Sequence, residues 1–278
     1  MRGMAGMRGM SATLARVRLR GMYAILAGGI LLIVVPVFQA LFLASEGYIE
    51  AVAPVASRRD FGPLLAWSSQ HAGAEIAYHL LQLVPFLLIS GLPSALRRAL
   101  WARGDRASAV EVAAGVAGVL AYAGAIVIGI VATVSDAAAY ASGDAAGRSA
   151  VAASFAGSYA MTTTLSHIIG GTLLALSIAL ASWRMVRTQL LLPWVGYLGL
   201  ILAVLLVITA IQFSADTMQV ETTLSPFSFA TLALWLICIG VLLSSLRALP
   251  EEGAAGSGED VSEVTDTGDS ADSAPNPQ

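Results

Sequence analysis

Six stretches of this chain are each long and apolar enough to cross a bilayer as a helix, and that fixes the fold class before any other feature is weighed. They lie at about 22–44, 72–93, 110–134, 158–182, 190–212 and 225–248. Each is near the roughly 20 residues that span about 30 Å of hydrocarbon. Barrel strands would be about half as long and would alternate in polarity, and lipid leaves backbone groups no other way to be satisfied. The expectation is an all-α polytopic integral membrane protein whose six-helix transmembrane bundle occupies residues 22–249. Composition agrees, because 57 % apolar and 12 % charged residues leave too little polar surface for a water-soluble domain. The first run follows several arginines, as a signal peptide would. It is longer than an ordinary signal core and no A-x-A site closes it, so it reads as a retained anchor.

Every fixed positive charge is an arginine, and the arginines are unevenly placed. Arg2, Arg8, Arg16, Arg18 and Arg20 precede the first run; Arg97, Arg98, Arg103 and Arg106 lie between the second and third; Arg184 and Arg187 lie between the fourth and fifth; Arg247 closes the sixth. Six crossings put these twelve on one side and leave Arg58, Arg59 and Arg148 on the other. The positive-inside rule then places both termini in the cytoplasm. Residues 1–21 read as a flexible basic cytoplasmic lead-in attracted to anionic lipid. Residues 250–278 carry eight acidic residues and no basic or aromatic ones, the composition of a disordered cytoplasmic tail. An arginine-, alanine- and glycine-rich chain without lysine resembles compact membrane proteins encoded by high-GC bacterial genomes, so a bacterial cytoplasmic membrane is the expected location.

Between the spans, FGPLLAW at 61–67 suits a short helix at headgroup level, with Trp67 as an interfacial belt residue. The Ala-, Gly- and Ser-rich segment from about 136 to 158 reads as a mobile external loop. Cys238 is the lone cysteine, which excludes an internal disulfide or a cysteine-based zinc cluster. The sequence contains no phosphate-binding glycine loop and no HExxH pair. No nucleic-acid partner is expected. The expected surroundings are the lipid bilayer, with a membrane-protein partner, a second copy or a small-molecule ligand left open.

The chemistry-bearing residues are the polar ones inside the spans. His71, Glu75 and His79 are spaced four apart and share one helical face, with Gln82 about a turn deeper. His167 lies at a depth comparable to His79 in the fourth span, after Thr163 and Thr164 and before Gly170 and Gly171. With Gln39 and Gln212 they define a candidate cluster of Gln39, Glu75, His79, Gln82, His167 and Gln212, biased toward the non-cytoplasmic half. Glu111 reads as an interfacial residue near Arg103 or Arg106.

Four readings of the cluster compete. Interhelical polar contacts alone explain it if these groups only hold helices together, each worth ~0.6 to 2 kcal/mol. Ionisable residues within a membrane are enriched at functional sites, which supports a proton or small-solute pathway through Glu75 and His79. A membrane-embedded zinc hydrolase would use His71, Glu75, His79 and His167 as ligands. A b-type haem protein would use His79 and His167 as axial ligands, with the adjacent glycines admitting the macrocycle. No motif chooses among them.

Overall fold

Hydrocarbon offers no partner for a backbone N–H or C=O, so long apolar runs must satisfy these groups within their own helix. The structure, a computed structural model, describes residues 2–100, 106–188, 192–214 and 218–247, and every regular element among them is helical. The elements are α1 (Arg2–Gly29), α2 (Val35–Phe38), α3 (Tyr48–Arg58), α4 (Gly62–Gln70), α5 (Ala72–Ile89), α6 (Leu92–Leu100), α7 (Arg106–Ser142), α8 (Ala145–Thr163), α9 (Gly171–Thr188), α10 (Pro193–Ser214) and α11 (Met218–Ser245). Three π-helical segments, Ile30–Val34, Gln39–Leu43 and Thr164–Gly170, continue the helices on either side of them. Six helical runs are long and apolar enough to cross a membrane: Ala12–Leu43, Ala72–Leu100, Ala107–Ser142, Ala145–Thr188, Pro193–Gln212 and Pro226–Ser245. The chain is a multi-pass helical membrane protein.

Several expectations are revised by these boundaries. The basic segment before the first span is not separate from it, because α1 runs unbroken from Arg2. The stretch expected as a mobile external loop is instead two helices, α7 and α8, joined through Gly143 and Asp144. Alanine, the strongest helix former, carries both helices beyond the apolar core. At 37 residues, α7 is about 55 Å long, well over the hydrocarbon thickness. Asp144 starts α8 as its N-cap, accepting a 2.7 Å hydrogen bond from the Gly147 N–H. Asp144→Ala is expected to lower stability by about 1 kcal/mol, read as a drop of a few degrees in the melting temperature of detergent-purified protein. The acidic segment 250–278, together with Arg103, lies outside the described residues.

The spans pack as a closed ring in which α5 lies between α1 and α7, α9 between α7 and α10, and α11 between α10 and α1. Leu31, Phe86, Leu174, Leu202, Trp235 and Ile239 belong to the continuous core inside this ring. At one end the arginines serve exposed helix carbonyls: Arg18 donates from Nε to Ser244 O at 2.9 Å, and Arg184 to Leu100 O at 3.4 Å. Cations at helix C-termini satisfy orphan carbonyls and oppose the helix dipole. Glu111, expected at the interface, is completely buried in α7.

At the opposite end α3 and α4 form a cap. Gly47 opens α3 with φ of 80°, a conformation open to glycine because it has no Cβ. Trp67 is buried rather than set in a lipid-facing belt. Its indole N–H donates to Glu46 O at 2.7 Å, and its ring stacks on His71 at 4.7 Å and meets Tyr48 edge-on at 5.0 Å. Phe61 reaches across to Phe155 at 5.4 Å and Tyr159 at 5.2 Å. These aromatic contacts fasten the cap onto α5 and α8.

Candidate functional site: a polar cavity beneath the cap

Three helices meet under the cap, each contributing residues at helical spacing. On α5, Glu75, His79 and Gln82 recur at helical spacing. On α7, Ala125, Ile126, Gly129, Ala132 and Thr133 do the same. From α8 into the π-helical segment, Phe155, Ser158, Tyr159, Thr162, Thr163, Ser166 and His167 follow the i, i+3, i+4, i+7 pattern through to the imidazole. Together with Tyr48 and Leu64 from the cap, these residues line a cavity of about 240 Å³. Gly129 matters to its shape, because a Cβ there would meet nothing within 4 Å, leaving the α7 wall recessed.

Glu75 stands in the first turn of α5 and is only 3 % exposed. Its Oε1 lies 3.7 Å from His79 Nδ1, while its Oε2 has no hydrogen-bond partner among the described residues. His79 Nδ1 is 2.9 Å from the Glu75 backbone oxygen. A carbonyl only accepts, so Nδ1 carries the proton and a neutral ring has its lone pair at Nε2. The His79 side chain keeps 20 % of its surface exposed, at an edge of the cavity. Tyr48 comes from outside the spans. Its phenol is held well above the ordinary tyrosine range, first by burial and then by Tyr78, Glu75 and Tyr159, and so remains neutral.

Toward the bundle interior the site ends in an aromatic layer. Phe86 and Tyr122 stack nearly parallel at 4.7 Å, and Tyr122 meets His167 at 6.1 Å and Phe229 at 6.3 Å, both edge-on. His167 and Phe229 complete the set at 6.5 Å. Gly170 makes room for this layer, since a Cβ there would lie 2.9 Å from a Tyr122 ring carbon. The π-helical segment that carries His167 thus sets the imidazole in the cavity lining and against the aromatic layer. Such local widenings of a helix are frequent at functional sites.

Of the residues singled out from the sequence, Glu75, His79, Gln82 and His167 line the cavity. Gln39 is instead exposed on the surface of the first span, and Gln212 is half-buried near the end of α10, outside the cavity lining. His71 joins α4 to α5 with its ring on Trp67 and its Nε2 3.5 Å from Glu46 Oε2, so it belongs to the cap. Among the described residues no group of three or more His, Cys, Asp or Glu is arranged to hold a metal ion. Sequence reasoning passed over Ser158, Tyr159, Thr162 and Ser166, although their spacing up to His167 is a readable polar stripe. Tyr48 had no local signal, because only the folding of the cap brings it to the cavity. The chain was compared with known protein families, curated proteins and solved structures, and it matches none of them.

Proposed function

We propose that this is a solute-binding protein of a bacterial cytoplasmic membrane, with both termini in the cytoplasm and its cavity serving a small polar ligand on the opposite side. The observation that carries this reading is the buried Glu75 carboxyl group, which stands in the lining of the cavity and has one oxygen, Oε2, without a hydrogen-bond partner among the described residues. If Glu75 only bonded helices together, packing would be expected to pair both its oxygens, because an unsatisfied buried acceptor is expensive. The cavity is below the roughly 300–1,000 Å³ of sites for drug-sized ligands, which supports a small solute over a haem macrocycle. The aromatic layer around Tyr122 blocks the way inward. Transport would therefore require this layer to rearrange, whereas a sensor or binding protein would keep it closed.

Two measurements test the reading. In a Cys238→Ser background, Ser158→Cys is expected to react with a small membrane-impermeant thiol reagent added from the non-cytoplasmic face. Complete protection of that position in folded protein would remove the solute-site reading. For topology, cysteines introduced at the exposed positions Arg98 and Ala145 are expected to label from opposite sides. Labelling of both from the same side would overturn the proposed orientation.

A further inference from the structure

We propose that the ligand of this cavity is a small primary ammonium ion, an inference that rests on the solute-site reading above. Several groups of the wall present hydrogen-bond acceptors. Thr162 donates its hydroxyl proton to Tyr159 O at 2.9 Å, and Ser166 donates to Thr162 O at 2.8 Å. With those protons engaged along the helix, the two hydroxyl oxygens turn lone pairs outward. His79 donates from Nδ1 to Glu75 O, which leaves Nε2 as an acceptor. The Glu75 carboxyl group, part of the same lining with its Oε1 3.7 Å from His79 Nδ1, adds a further acceptor. Among the described residues no arginine lines the cavity, so an anion would meet acceptors and a carboxylate with no fixed positive charge to hold it.

An ammonium group fits this wall in both charge and valence. It carries a positive charge to Glu75 and three N–H donors for the remaining lone pairs. Tyr48 and Phe155 place aromatic rings, which attract cations, in the lining, while Leu64, Ile126 and Ala132 supply an apolar wall for a short alkyl tail. A quaternary ammonium ion has the charge but no donors, so it would leave the acceptors of the lining without hydrogen bonds. That difference separates recognition of a primary amine from general attraction of cations.

The test uses the full-length Cys238→Ser, Ser158→Cys protein in lipid nanodiscs, with n-butylammonium, tetramethylammonium and butyrate as probes. n-Butylammonium is expected to slow labelling of Ser158→Cys in a saturable manner, and butyrate and tetramethylammonium are expected not to. Adding Glu75→Gln should weaken n-butylammonium roughly ten- to a hundredfold, the usual effect of losing a charge-assisted hydrogen bond. Should Glu75→Gln fail to yield folded protein, Thr162→Val decides in its place. It preserves side-chain shape while removing one acceptor, and a several-fold weakening is expected. Protection that is equal for all three probes, or unchanged by the variant tested, overturns the ammonium assignment. If Ser158→Cys labels freely and n-butylammonium never protects it, the ammonium assignment falls while the solute cavity stands. If Ser158→Cys is unreactive toward every reagent in folded protein, the underlying solute-site reading falls and the ammonium assignment falls with it.

Discussion

Leucine in place of Gly240 is expected to leave almost no folded protein in the membrane. α1 and α11 meet backbone to backbone at this point. A Cβ on Gly240 would lie 2.6 Å from Gly21 O and 2.8 Å from Ile25 N, and a Cβ on Gly21 would lie 2.7 Å from Gly240 O. About two helical turns further on, a Cβ on Gly28 would lie 2.6 Å from Ala233 O. These obstructions are main-chain atoms, so a side chain cannot turn aside to relieve them. In lipid, where apolar surface gains nothing by leaving the solvent, helices associate through such close packing of small residues. The seam also closes the ring, since it joins the first span to the last. Forcing it apart should cost about 3 kcal/mol for Gly240→Ala and more for leucine, at or above the upper end of ordinary overpacking penalties. Monodisperse yield after detergent extraction and the melting temperature measure this loss. Gly29→Leu is the control, because a Cβ at Gly29 meets nothing within 4 Å. If Gly29→Leu and Gly240→Leu lower yield equally, the close α1–α11 seam is not what holds the ring together.

Tyr122→Ala is expected to have the second largest effect, on stability and on the depth of the cavity together. Tyr122 is 5 % exposed and simultaneously touches Phe86 of α5, His167 of the π-helical segment and Phe229 of α11. Removing a buried aromatic ring of this kind costs about 3 to 5 kcal/mol. Because the ring packs against His167, which lines the cavity, the space it vacates would lie next to the cavity. A cysteine at Leu174, buried beside Gly118 and on the far side of the aromatic layer in sequence order along α9, should become reactive in Tyr122→Ala. It should stay protected in Tyr122→Phe, which keeps the stack on Phe86. An unreactive Leu174→Cys in folded Tyr122→Ala would show that Tyr122 does not close the inner side of the site.

Which parts of this arrangement were legible in the sequence follows from the range over which each signal acts. Span number and helical character depend on uninterrupted apolar length, a local property, and all six runs reappear as long apolar helices. The shared face of Glu75, His79 and Gln82 follows from the 3.6-residue period alone. Helix ends were harder to read, because hydropathy reports where lipid ends rather than where the helix does. Alanine therefore carried α7 and α8 well past the expected boundaries, through residues that look like a loop by composition.

Membership of the cavity was decided only in three dimensions. Gln39 and Gln212 are as polar as Gln82, yet the rotation of their helices leaves them away from the site, and neither rotation is encoded in residue type. Trp67 and His71 carry the signature of an interface or of a ligand, but stacking on each other and bonding to Glu46 ties them into the cap. Tyr48 reaches Glu75 because α3 folds back under the constraint of Gly47. The sequence by itself determined that this chain spans a membrane with six helices and carries its ionisable groups on particular helical faces, because length and periodicity are short-range. Only the tertiary structure decided which faces enclose a common space, because that depends on glycine crossings and aromatic contacts between residues far apart in the chain.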